Sequence, residues 1–191
     1  MELYKFRSFE SDYIEDILSN NRFHLSIFKD LNDPMEGYFQ HFRNKNEIKP
    51  FIDEKSEYKI CSFSKTYQSI LLWTFYADVF KGIAIEITLD LKNNKNLNKV
   101  EYCKCIPDLN SETKPIDVLK KKVNLWSYEK EYRAIAKSDQ YFIPIGKITG
   151  ILLGLRINED KIILVENLAS LNKIPVFKTD IDFKNNKIVK L

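Results

Sequence analysis

Apolar and polar residues alternate with period two in several short stretches of the chain and recur at helical spacing in others. Residues 2–7 (ELYKFR) read as a strand with Tyr4 and Phe6 on one face and Lys5 and Arg7 on the other. Ser11 is placed to cap a helix over 12–20, where Tyr13, Ile14, Ile17 and Leu18 fall on one side. Residues 22–27 alternate again, and the Asn32, Asp33, Pro34 sequence predicts a rigid turn. Residues 44–57 are polar and read as a helix plus loop. Strand 58–64 (YKICSFS) follows, then an apolar helical stretch over 68–79 that stops at Lys81 and Gly82.

Residues 83–89 predict a strand with Ile83, Ile85 and Ile87 opposite Glu86, and 93–98 a polar turn. Strand 100–106 precedes a helix over 115–125 with Pro115 in its first turn. Residues 129–136 read as a strand hairpinned through Ser138 and Asp139 to 141–145. A buried strand over 148–155, a mixed stretch over 159–171 and a late strand over 174–177 complete the pattern. Strands and helices are interspersed without a regular βαβ repeat. The expectation is an α+β fold, one domain over 1–191, with a mixed or antiparallel central sheet and flanking helices.

Composition narrows the class. The chain has 191 residues, 44% of them hydrophobic and 30% charged, with 13 Phe and 10 Tyr to build a core. A net charge of +3 excludes a strongly basic polyanion-binding arm. The run Lys120–Lys122 is read as a solvated helix face, with a phosphate contact as the alternative. The N-terminus lacks a signal-peptide pattern, and no stretch reaches the roughly 18 apolar residues of a membrane span. With three cysteines, Cys61, Cys103 and Cys105, the expectation is a cytoplasmic, reduced protein without a membrane partner. Cys103 and Cys105 lack a second ligand pair, so no metal site is expected.

The candidate chemistry lies in three polar faces at period-two spacing: Lys5 with Arg7, Ser62 with Ser64, and Glu129, Glu131 and Arg133. Dinucleotide, P-loop, zinc-protease and serine-hydrolase motifs are absent from the sequence. Glu129 and Glu131 on one strand face repel by roughly 1 kcal/mol in water and more when partly buried. They read either as a solvated edge neutralised by Arg133, or as a pair in which one carboxylate stabilises a cationic transition state and the other prepares the acceptor. Arg7 and Lys5 suit a pyrophosphate clamp or ordinary strand charges, and Ser62 and Ser64 suit a ribose or an edge. Trp73, Tyr76 and Trp126 read as core, or as a ring on which a flat base or nicotinamide stacks. Asp33 and Glu36 read as turn and capping residues, or as metal ligands.

Residues 3–7, 32–36 (NDPME), 61–64 (CSFS), Trp73 with Tyr76 and Ala77, 82–86 (GIAIE), and the 126–133 run WSYEKEYR resemble, in that order, the bacterial family catalogued as domain of unknown function 2971. The early arginine, the Ser-x-Ser strand and the late Glu-x-Glu are similar to the Arg-Ser-Glu class of ADP-ribosyltransferases. That second resemblance implies an ADP-ribosyltransferase-like fold with NAD as substrate. Arg7 would hold the diphosphate, Ser62 or Ser64 would brace the nicotinamide ribose, Glu131 would be catalytic and Glu129 would prepare a protein or nucleic-acid acceptor. It also implies a role as a toxin or phage-defence effector. Two departures stand out: Ser-Phe-Ser replaces the class's Ser-Thr-Ser, and Arg133 follows the carboxylates directly. The competing readings are a metal-dependent nuclease using Asp33, Glu36, Glu129 and Glu131 with Lys120–Lys122, and a non-catalytic module that binds a nucleotide or nucleic acid.

Overall fold

The structure, a computed structural model, describes every residue except 11, 12, 42, 43, 91–93, 138 and 140. The expected Ser11 cap and the Ser138 link of the 129–145 hairpin lie outside the described residues. In chain order the elements begin with β1 (Glu2–Arg7), α1 (Tyr13–Asn20), β2 (Phe23–His24), β3 (Ser26–Ile27), α2 (Lys45–Ser56), β4 (Tyr58–Ser64), α3 (Ile70–Tyr76) and β5 (Ile83–Thr88). Next come β6 (Leu97–Lys99), β7 (Glu101–Cys103), α4 (Pro115–Leu119), β8 (Lys121–Val123) and β9 (Glu131–Lys137). The last are β10 (Phe142–Ile143), β11 (Lys147–Leu153), α5 (Glu159–Leu171), β12 (Val176–Phe177), β13 (Thr179–Asp182) and β14 (Lys187–Lys190). The fold is α+β with both parallel and antiparallel pairing, as the interspersed pattern implied. Among the described residues no helix is long and apolar enough to cross a membrane.

The chain gathers into two compact units. One comprises Met1–Phe23, Phe63–Asn94 and Ile143–Leu191, the other His24–Ser62 and Lys95–Phe142. Strand β4 therefore contributes its last two residues to the first unit and the rest to the second.

In the first unit β5 runs between β1 and β11, antiparallel to both, and β12 joins β11 in parallel. Ile83 to Ile87 are all buried, which marks β5 as a strand covered on both faces. Lys5 pairs with Ile85 and Arg7 with Ile83, so the polar face of β1 lies along this central strand. Leu3, Trp73, Ile85, Ile151 and Leu152 are fully buried and form the heart of the unit. The antiparallel hairpin of β13 and β14, which the periodicity did not reveal, is fixed to it by Ile188 N donating to Gln68 O (3.0 Å).

The residues after α3 carry an unusual backbone. Asp78, Val79 and Phe80 all have positive φ, at 44°, 48° and 70°. Left-handed backbone costs an L-residue roughly 1–2 kcal/mol, and a β-branched side chain tolerates it least. Phe80 N donates to Trp73 O (3.3 Å) and Gly82 N to Ala77 O (2.8 Å), which holds the turn in place. A Cβ at Gly154 would meet Phe80 O at 2.2 Å and Gly82 O at 2.7 Å, so only glycine allows these two backbones to approach so closely. Val79 is 41% exposed and gives up little packing on truncation. Val79→Gly is therefore expected to stabilise the protein by about 1 kcal/mol in urea denaturation, the relief of strain exceeding the entropy of glycine. A loss of stability would argue against strain at this position.

In the second unit β3 pairs antiparallel with β4, β6 antiparallel with β9, and β7 parallel with β8. Phe28, Ile60, Leu119 and Ile135 form its packed core. Helix α2 begins where the Asn44 side chain accepts hydrogen bonds from Asn46 N and Glu47 N, both 3.1 Å.

Several sequence expectations need correction. The helix expected over 115–125 stops at Leu119, because Lys121–Val123 pair with Glu101–Cys103 and the ladder overrides helical propensity. The mixed stretch 159–171 is a complete helix, capped by the Asn158 side chain, which accepts from Lys161 N (3.0 Å). The 93–98 turn ends in a strand, as Leu97–Lys99 find partners in β9. Residues 141 and 142 do not fold back on β9. Tyr141 O accepts from Leu25 N (2.7 Å), and its ring stacks on His24 with centroids 6.1 Å apart.

Candidate functional site

The carboxylates singled out in the sequence do come together, but not by sharing one strand face. Glu129 is the last residue of a 3₁₀ turn over Asn124–Glu129, and Lys130 then takes a left-handed conformation (φ 45°, ψ 49°) before β9 begins at Glu131. The strand predicted from residue 129 thus starts two residues later. What joins the carboxylates is Lys122 on β8, whose Nζ lies 2.7 Å from Glu129 Oε2 and 3.4 Å from Glu131 Oε2. The Lys122 ammonium also sits 4.7 Å from the centroid of the Trp126 ring.

Arg133 is the hub. Its Nε donates to Glu131 Oε1 at 2.8 Å and its Nη2 to Glu131 Oε2 at 3.0 Å, forming a fork on one carboxylate. On its other side Nη1 and Nη2 hold both oxygens of Glu36, the second at 2.7 Å, and Nη1 also donates to Leu119 O at 2.7 Å. The Ser62 hydroxyl hydrogen-bonds to the Glu131 carboxylate, and the Tyr102 hydroxyl accepts from Glu131 N (2.9 Å). Three carboxylates and two cations make up this buried network, and Arg133 is 0% exposed. Buried charges survive only when paired and hydrogen-bonded, and here each has both.

The electrostatics divide the carboxylates. Burial raises the Glu131 carboxyl, but Arg133, Lys122 and the Ser62 hydroxyl outweigh it and hold the group down at about 2. Burial pushes Glu36 above the ordinary carboxylate value against the pull of Arg133. Glu36 is thus the first of the two to accept a proton on acidification. Burial against the two glutamates raises the Tyr102 hydroxyl, and burial lifts Tyr128 to about 12.

The remaining candidates have other employment. Ser64 is buried and its Oγ accepts from Thr66 N (3.0 Å), closing a turn. Lys5 lies over Phe63 (5.5 Å) and the Arg7 guanidinium over Tyr13 (5.6 Å). Trp73 is fully buried, edge-on to Phe6 and stacked on Phe80, with its Nε1 donating to Tyr67 O (2.7 Å), so its faces are filled by protein and offer no platform to a nicotinamide. Tyr76 is the half-buried last residue of α3. Asp33 Oδ1 accepts from Met35 N (2.9 Å), the turn role expected of it. Lys5, Arg7, Ser64, Trp73 and Tyr76 belong to the first unit, and Ser62, Glu129 and Glu131 to the second.

Sequence reasoning misassigned Lys122 and overlooked Tyr102. Three consecutive lysines read as a solvated face, yet Lys122 is 7% exposed because it pairs with Tyr102 across the β7–β8 ladder. Among the described residues no group of three or more His, Cys, Asp or Glu is arranged to hold a metal ion.

Another buried cation adjoins the network. Lys55 Nζ donates to Gly37 O (2.6 Å) and lies 4.5 Å and 4.7 Å from the Phe28 and Phe39 ring centroids. Burial, reinforced by Lys29, lowers it to about 8. The unfolded chain therefore holds more protons between pH 8 and 10.5, and stability rises with pH through that window. Lys55→Met is expected to raise stability at pH 7 by about 1 kcal/mol, the relief of a buried charge exceeding one lost hydrogen bond. It should also flatten the alkaline rise in a pH series of urea denaturations. An unchanged slope would contradict the lowered value.

No family model, curated protein or solved structure matches the chain.

Proposed function

We propose that the protein transfers ADP-ribose from NAD and that Glu131 is its catalytic carboxylate. The observation that carries this reading is the hydrogen bond from the Ser62 hydroxyl to Glu131, which joins the Ser-x-Ser strand to the Glu-x-Glu segment. Breaking the nicotinamide–ribose bond builds positive charge on the sugar ring. A carboxylate that is anionic throughout the physiological range stabilises that charge more than it stabilises intact NAD. Glu131 is held in that state by its partners, and Tyr102 fixes its backbone. Three carboxylates against two cations leave the network one negative charge in excess when all are ionised, which favours a cation nearby. Glu129, tied to Lys122, is the group nearest in role to an acceptor-preparing base. The test is release of nicotinamide from NAD without added metal, compared between the parent protein and Glu131→Gln.

A second reading rests on a specific observation of its own. Glu131 is 4% exposed and both its oxygens are engaged by the Arg133 fork. A carboxylate so enclosed suits a non-catalytic binding module whose network sets the shape of the second unit. Ligand binding without nicotinamide release would favour that reading.

A further inference from the structure

A cavity of about 320 Å³ in the first unit is lined by Phe9, Glu10, Asp78, Lys81, Arg156 and Lys161, and nothing in the reading above uses it. Its size falls in the range of small-ligand sites. Three cations from two separate stretches of chain, Lys81 in one and Arg156 and Lys161 in the other, converge there. The convergence is built into the backbone, because the close approach at Gly154 ties residues 80–82 to 154, and Arg156 N donates to Phe80 O (2.9 Å). Lys81 and Arg156 are thereby carried to one cavity by the same stitch. Asp78, the first residue of the costly left-handed turn at 78–80, forms part of its wall, and such strain persists where surrounding structure enforces it.

The charges are only partly compensated, since Glu10 and Asp78 also line the cavity. Lys81 has Asp78 at 3.4 Å, on an exposed pair. Among the described residues no carboxylate lies within ion-pair distance of Arg156 or Lys161, and Lys161 rests 5.3 Å from the Phe9 ring centroid. Two cations without an ion-pair partner, a third beside them and an aromatic wall leave an excess of positive charge that suits a compact anion. Guanidinium and ammonium groups bind phosphate oxygens by short charge-assisted hydrogen bonds, the arginine through two at once.

We propose that this cavity binds a phosphate-bearing small molecule through Arg156, Lys161 and Lys81, with a pyrophosphate group, as carried by a nucleoside diphosphate, as the recognised element. Glu10 and Asp78, which line the same cavity, disfavour longer polyanions and can accept hydrogen bonds from sugar hydroxyls.

Isothermal titration with ADP, inorganic pyrophosphate and adenosine tests this on the whole chain. ADP is expected to bind, adenosine at least tenfold more weakly, and ADP binding should fall as salt rises. Arg156→Ala with Lys161→Ala is expected to weaken ADP binding by tenfold or more while leaving Tm unchanged, since both side chains lie outside the core. Pyrophosphate binding as tightly as ADP identifies the phosphates as the whole determinant; tighter ADP binding that Phe9→Ala abolishes adds the ring. Equal affinity for adenosine and ADP, no ADP binding at millimolar concentration, or full affinity in the double variant each overturns the proposal. Glu131→Gln should leave ADP binding intact, so the outcome here is independent of NAD turnover.

Discussion

Arg133→Met is expected to destabilise the protein by about 3–5 kcal/mol, the cost of leaving buried partners of a removed charge uncompensated. Both Glu36 and Glu131 lose their guanidinium, and Leu119 O loses a donor. Urea unfolding followed by fluorescence measures the loss. The pair Arg133→Met with Glu36→Leu should cost less than the sum of the two single changes, because the second removes one orphaned carboxylate. Additive losses would mean that the two residues do not act as a pair. The network also has an acid signature. Glu131 drops from an ordinary 4.5 to about 2 on folding, so the stability it contributes is complete above 4.5 and is lost as pH falls towards 2. That acid-side loss should be smaller in Glu131→Gln.

Glu131→Gln is expected to lower NAD turnover by about 10² to 10³, the usual cost of removing one preorganised group that stabilises developing charge. The variant should still fold, since Arg133 keeps Glu36 and Leu119 O, and Lys122 keeps Glu129. Measured nicotinamide release from a variant whose unfolding transition remains cooperative separates chemistry from folding. Full turnover by Glu131→Gln would remove Glu131 from the reaction, whatever the fate of NAD binding.

The strands with one clean alternating face were legible in the sequence. β1 and β4 match the expected 2–7 and 58–64 closely, and β5 was visible in the alternation of Ile83, Ile85 and Ile87 opposite Glu86. Elements decided by long-range pairing were not. Residues 121–123 continue a plausible helix locally, and only their partners at 101–103 turn them into strand and bury Lys122. Helix α5 was obscured by apolar residues on several faces, although Asn158 followed by Glu159 and Asp160 was a usable start signal. At the candidate site, residue types were readable and their wiring was not. Arg133 was expected to neutralise a carboxylate, but Glu36, 97 positions away, was read as a capping or metal residue because no local pattern links the two. Ser62 and Ser64 looked equivalent by spacing, yet Ser62 lies within β4 and reaches Glu131, whereas Ser64 ends the strand and its Oγ accepts from Thr66 N in the following turn.

The division of the chain has a practical outcome for truncation. One unit draws on three separate stretches of sequence and the other on two, so no cut from either terminus can free one of them intact. Glu2 must find Thr88, and Lys147 the same residue from the other direction, before the central strand is complete. Closing loops of that length is slow compared with local hairpin formation. Refolding should therefore be sluggish, and fragments ending near residue 95 should emerge as incompletely paired, aggregation-prone chains.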